Sequence, residues 1–178
     1  CVLHAWALQL TGQLEPSEAR LVDCETALDC LNESDKEREN VLGLINFRRA
    51  YSSFMVGELE QTMNYAKQAL EQLPESAALI RVHTVLYLGV AYRYQGRLQE
   101  ALETYTSVLP ITERMGGKSV AALHYVHLSD LYWQLGQLQR AKEVCERALI
   151  LTEQSIGSPD MPFCGFVYVR IGRILRQW

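Results

Sequence analysis

Apolar residues recur three and four positions apart along nearly the whole chain, and no stretch of useful length alternates apolar with polar. The pattern predicts helices over 1–12, 17–31, 37–56, 59–73, 76–95, 98–115, 118–135, 138–155 and 163–178. The interruptions carry recognisable breakers: Pro74, MGGKS from Met115 to Ser119, and GSPDMP from Gly157 to Pro162. The expected fold class is all-α.

The helices come in pairs around one recurring turn. YLGVAYRYQGRLQEAL, from Tyr87 to Leu102, has near-copies in HLSDLYWQLGQLQRAK from His127 and FRRAYSSFMVGELEQT from Phe47. The turn glycines are Gly12, Gly57, Gly96 and Gly136, spaced 45, 39 and 40 residues apart. Seven residues before each stands a small residue: Ala5, Ala50, Gly89 and Ser129. A small side chain there lets two helix backbones approach closely, which stacked hairpins require. Beyond the turn, Gly96 is followed by Ala101 and Val108, Gly136 by Ala141 and Ala148, and Gly57 by Thr62 and Ala69, at the same offsets. The first copy is expected to be looser, with Glu15, Pro16 and Ser17 lengthening its turn. Eight residues before the glycines stand His4, Arg49, Leu88 and Leu128, so Arg49 departs from the apolar pattern.

A period near 40 with two helices per unit predicts an α-solenoid, because one hairpin cannot bury its apolar face alone. Residues 1–178 are expected to form one repeat domain with units 1–32, 37–73, 76–115, 118–155 and an incomplete 163–178, about four and a half in all. In the last unit Gly172 takes the small slot, and its turn glycine would fall at position 179. The opening CVLHAWALQL has neither an initiator Met nor a basic leader, so a piece of a longer protein is expected.

A net charge of −4 and a pI near 5.6 argue against a general binder of nucleic acid or of membrane surfaces. No apolar run approaches the roughly 18 to 20 residues a membrane span needs. The five cysteines, at 1, 24, 30, 145 and 164, show no CxxC pair and no zinc-type spacing. The reading that follows is reduced thiols in a cytoplasmic protein, with Cys24, Cys30 and Cys145 acting as small hydrophobes.

Two stretches invite chemistry. RMGGKS, from Arg114 to Ser119, contains the GKS of a phosphate loop. A Walker loop needs glycine six residues before the lysine, where Thr112 stands, and a preceding strand, where the pattern is helical. HYVHLSD places His124, His127 and Asp130 at i, i+3 steps, but no HExxH and no partner Glu-x-x-His accompanies them. No nucleophile elbow, triad order or carboxylate pair stands out. No enzyme activity, no cofactor and no metal site is expected.

The aromatic or leucine ahead of the turn, the small slot, the glycine, and then alanine with Tyr105 resemble the tetratricopeptide repeat. The period near 40, with AWALQLTGQLEPSEA, NYAKQALEQLPES and LIRVHTVLYLGVAYRYQG, resembles the sensor region of large LuxR-type bacterial activators of the maltotriose-regulator kind. That resemblance implies a right-handed superhelix whose first helices line a concave surface. It places Tyr51, Phe54, His83, Arg93, Tyr94, Asp130, Trp133, Arg173 and Arg176 on that surface, with Trp6, Gln9, Leu44, Phe47 and Met55 among its other lining residues. It also implies a regulatory sensor domain of a transcription activator, taking a small-molecule effector or a protein or peptide in the groove. In such proteins an NTPase module precedes the repeats and a helix-turn-helix follows them. DNA contact would then lie outside this chain, and self-association would belong to the full-length protein. The alternative is a tetratricopeptide scaffold for protein partners with no small ligand. The competing reading of the rings is helix-to-helix packing, and of Arg93 with Asp130 an ordinary ion pair.

Overall fold

The computed structural model describes residues 1–30, 34–115 and 118–154, together with Gly165, Tyr168, Val169, Ile171, Gly172, Leu175 and Arg176. Its α-helices are α1 (Val2–Leu10), α2 (Leu14–Cys30), α3 (Asp35–Val56), α4 (Leu59–Gln72), α5 (Ala78–Tyr94), α6 (Leu98–Arg114), α7 (Lys118–Gln134) and α8 (Leu138–Glu153). No strand occurs among the described residues. Two compact units divide the chain, Cys1–Gln95 with α1 to α5 and Gly96–Trp178 with α6 to α8.

The turn that defines the repeat is a helix stop that requires glycine. Gly12, Gly57, Gly96 and Gly136 have φ of +76, +82, +75 and +71°, in the left-handed region. A Cβ added at any of the four would meet nothing within 4 Å, so backbone conformation alone selects glycine there. At three of these turns the two bonds of a Schellman motif are present. In the Gly57 turn, Gly57 N–H donates to Phe54 O at 3.2 Å and Glu58 N–H to Ser53 O at 2.9 Å. Gly12 with Gln13, and Gly136 with Gln137, repeat the arrangement.

The repeat register holds on both sides of the turn. Ala5, Ala50, Gly89 and Ser129 are all buried. On the following helices, the residues five beyond each glycine (Ser17, Thr62, Ala101 and Ala141) and twelve beyond (Cys24, Ala69, Val108 and Ala148) are buried as well.

The first copy is therefore regular, against the expectation of a lengthened turn. Helix α2 begins at Leu14 and takes Pro16 into its first turn, where the absent N–H had no partner in the helix to lose. Ser17 then occupies the buried slot five beyond Gly12, and its hydroxyl donates to Ala5 O at 3.0 Å. The reduced-thiol reading is corrected too: Cys1 and Cys24 form a disulfide that staples α1 to α2. A separation of 23 residues hides this pairing in the sequence, but the hairpin folds the two positions together. Cys145 is a free, buried thiol, whereas the side chain of Cys30 and the whole of Cys164 lie outside the described residues.

Helix α3 starts earlier than its apolar pattern suggested, because Ser34 and Glu37 build a capping box. Arginines of succeeding helices close two helix ends: Arg38 donates to Leu28 O at 2.9 Å, and Arg81 to Leu70 O and Leu73 O at 2.6 and 2.7 Å. In α3, a Cβ on Gly43 would lie 3.0 Å from Leu73 N, so this glycine permits a close approach of α3 to the end of α4.

In the first unit, one core cluster joins Ala5, Leu21, Cys24, Leu28 and Ile45, and another joins Phe47, Ala69 and Leu73. In the second unit Ala121, Ala122, Val126, Cys145, Ala148 and Leu151 pack with Ile171. Ile171 is thus the residue of the last predicted segment that joins the core of α7 and α8. Of that segment Gly165, Tyr168, Val169, Ile171, Gly172 and Leu175 are helical, and Gly172 is exposed.

Candidate functional site

In the first unit the leading helix α3 touches both α1 and α5, so equivalent positions of successive repeats meet. Phe47, Tyr51 and Phe54 of α3 surround Tyr87 of α5, with ring centroids 5.9, 5.9 and 5.4 Å away. Phe47 and Phe54 stack on Tyr87, while Tyr51 is tilted. Burial, followed by the neighbouring Tyr51, pushes the Tyr87 hydroxyl up to about 12, with Arg48 opposing. The Arg48 guanidinium lies 5.1 Å from the centroid of Trp6 and 4.7 Å from that of Phe47. Beside it, Gln9 Nε2 donates to Arg48 O at 3.0 Å and to Ser52 Oγ at 2.9 Å, tying α1 to α3.

The sequence-predicted residues of this unit divide into two groups. Tyr51 and Phe54 join the Tyr87 cluster. Arg93 is buried with its guanidinium 5.0 Å from the ring of Tyr94, which is 66% exposed. His83 is half-buried, and its Nδ1 lies 2.8 Å from Leu79 O on its own helix. Arg48 and Tyr87 were missed. Both stand nine residues before a turn glycine, and comparing that position between repeats would have found them.

A second polar feature lies where the apolar pattern broke. Arg49 forms a bidentate pair with Glu25 at 2.8 and 2.7 Å and also bonds Glu18 at 2.9 Å. The hydrogen bond to Glu25 is the main cause that holds the Arg49 guanidinium above its ordinary range. This ion-pair clamp between α2 and α3 replaces the leucine of the later repeats. It borders a cleft of about 330 Å³ lined also by Glu15, Glu58, Gln61 and Tyr65.

In the second unit, Asp130 is half-buried and Trp133 is 43% exposed on α7. Arg176 is exposed, and Arg173 lies outside the described residues. The two histidines of HYVHLSD are buried against Tyr105: His127 stacks on its ring at 5.7 Å and His124 meets it edge-on at 6.2 Å. Among the described residues no group of His, Cys, Asp and Glu is arranged to hold a metal. Lys118 and Ser119 of the GKS stretch open α7, and Gly116 and Gly117 lie outside the described residues. No described helix is long and apolar enough to cross a membrane.

The family model described as the MalT-like TPR region matches residues 43–178. Over 75 residues the chain is 36% identical to protein kinesin light chain-related 2 of Arabidopsis thaliana, which covers 40% of this chain and 11% of that protein. In fold it is similar to the apo form of RapI, with a TM-score of 0.80 at 18% identity over 98% of this chain and 61% of RapI. It is also similar to BtubC (BKLC) from P. vanneervenii, with a TM-score of 0.77 at 18% identity over 97% of this chain and 69% of that one. The chain thus spans about a tenth of the plant relative and three-fifths of RapI. Nothing in these likenesses points to enzyme activity. With its four left-handed glycine turns and the small buried residues that precede them, the chain belongs to the MalT-like tetratricopeptide family, and its fold is an α-solenoid of helical hairpins.

Proposed function

We propose that this TPR-like interaction domain is the sensor region of a cytoplasmic bacterial transcription activator, and that it takes an effector or partner on the face formed by its leading helices. The observation that carries the reading is the ring-rich face of the first unit. There Trp6 is 42% exposed, and Tyr51 and Phe54 remain partly open beside Tyr87 and Arg48. Rings with a cation among them offer both stacking area and directed hydrogen bonds, the usual make-up of a selective small-ligand site. Binding would fix neighbouring repeats against one another and so bias the state of an NTPase module elsewhere in the protein. Tyr94, Arg93 and His83, all on α5, extend the proposed face within the first unit.

The test is a thermal-shift screen of metabolites on the 178-residue chain, followed by calorimetric titration of the hits. Tyr51→Ala and Trp6→Ala are expected to weaken binding, by roughly 2 kcal/mol for an anchor that the ligand buries. Glu103→Ala, an exposed position on α6, is the control. Undiminished binding by both ring variants would refute the site. The scaffold reading is favoured by a different observation: Phe47 and Phe54 of α3 both stack on Tyr87 of α5, a run of rings across two leading helices that suits an extended peptide.

A further inference from the structure

Arg48 is held in an unusual way for a cation in an acidic protein. Trp6 and Phe47 lie within cation–π range of its guanidinium, and Tyr87 and Tyr51 are the titratable groups that act on its charge. No carboxylate among the described residues pairs with it, and its side chain makes no hydrogen bond there. Arg49, the next residue, has two carboxylates, so glutamates are placed in this unit where a guanidinium needs them. Aromatic faces attract a cation, but they offer no acceptor to the N–H groups along the guanidinium edge. Such groups, partly withdrawn from water, make the site costly until an acceptor arrives. Burial accordingly pulls the Arg48 guanidinium below its ordinary range.

We infer that the free edge of Arg48 is an oxyanion-binding point, and that the ligand of this face carries a carboxylate or phosphate group. This rests on the sensor reading above and specifies its ligand. The planar fork of a guanidinium matches two oxygens of such a group, and the pair is strong where water is partly excluded. The place suits regulation. Trp6 comes from α1, Arg48 and Phe47 from α3, and Tyr87 from α5, so one bound anion draws on three successive leading helices. Gln9 already fixes the backbone at Arg48, which leaves the side chain as the element that responds.

The probes are benzoate, phenyl phosphate and inorganic phosphate, each titrated calorimetrically into the folded 178-residue chain against sodium chloride at equal ionic strength. At least one is expected to bind, and the ranking separates carboxylate from phosphate and an organic body from a free ion. Arg48→Met keeps the stem of the side chain between the rings and removes the fork. It is expected to weaken binding at least about tenfold, the equivalent of one charge-assisted bond, while Arg48→Lys loses less. In chloride alone, Arg48→Met should melt at or above the parent temperature, because an unpaired charge has gone. If none of the probes binds above the chloride control, or Arg48→Met binds as tightly as the parent, the oxyanion reading is wrong. A marked drop in the melting temperature of Arg48→Met in chloride also overturns it, since Arg48 would then be a packing residue. Metabolite hits that bind Arg48→Met normally but fail with Tyr51→Ala would leave the sensor face standing without its anion site.

Discussion

Replacing Gly57 by alanine isolates the turn from everything around it. The added Cβ touches nothing, so no clash contributes, and what remains is the φ of +82°. An L-residue in the left-handed region costs about 1–2 kcal/mol. Alanine also narrows the unfolded ensemble, which returns about 0.4–1 kcal/mol. The expected net loss is about 1 kcal/mol. Asparagine tolerates this region better, so Gly57→Asn should lose less than Gly57→Ala. Gly136→Ala, with φ of +71° and the same empty surroundings, should lose about as much as Gly57→Ala. The two turns share no hydrogen-bond partner, so the double variant should be additive within about 0.5 kcal/mol. Urea unfolding followed by far-ultraviolet dichroism measures this, with an unchanged slope confirming that only stability moved. A Gly57→Ala protein as stable as the parent, or an asparagine variant weaker than the alanine one, would show that the turn conformation is not what selects glycine.

Arg49→Ala should cost about 1 kcal/mol, since Glu18 and Glu25 are partly exposed and screened, and the deficit should shrink in about 0.5 M salt. Equal losses at low and high salt would contradict an electrostatic clamp. Tyr87 carries a pH signature: its folded pKa of about 12 exceeds the ordinary 10.0, so its contribution is intact below pH 10 and is lost as pH rises from 10 towards 12. In that window the unfolded chain loses a proton that the folded chain retains, and the loss approaches 2–3 kcal/mol. Denaturation against pH should therefore show a shallower alkaline decline for Tyr87→Phe than for the parent. Reducing the Cys1–Cys24 disulfide should lower the melting temperature, up to about 3 kcal/mol in the chain-entropy picture for a loop of this length, and Cys24→Ser should be insensitive to reductant.

The solenoid was legible because its defining turn needs an uncommon backbone conformation. Only glycine meets that need cheaply, so Gly12, Gly57, Gly96 and Gly136 mark the sequence at every copy. The small slots were legible for a related reason, since Ala5, Ala50, Gly89 and Ser129 are all buried at one fixed offset from their turns. Pro16 misled, because a proline reads as a break unless the helix is known to have started two residues earlier. The disulfide and the Gly43 contact were hidden, as each depends on a tertiary approach that leaves no local spacing. On the candidate face, Tyr51 and Phe54 were found from their register, but their partner Tyr87 and the cation Arg48 were not. Stacking and ion pairing depend on which side chains lean together across helices, and a one-helix register does not record that.

The connectivity of these helices also bears on how the chain acquires its structure. Within the first unit each helix touches its successor, and the longest reach is to the next but one, as between α1 and α3 or α3 and α5. Among the described helices of this unit no pairing waits for a distant segment to be synthesised, so the entropy of closing a long loop does not stand in the way. Chains with such local wiring reach the native state in microseconds to milliseconds, and repeat arrays of this kind can nucleate at more than one point. During translation a hairpin can close once its own forty or so residues have left the ribosome. Its apolar face then has to wait only for the next hairpin to cover it.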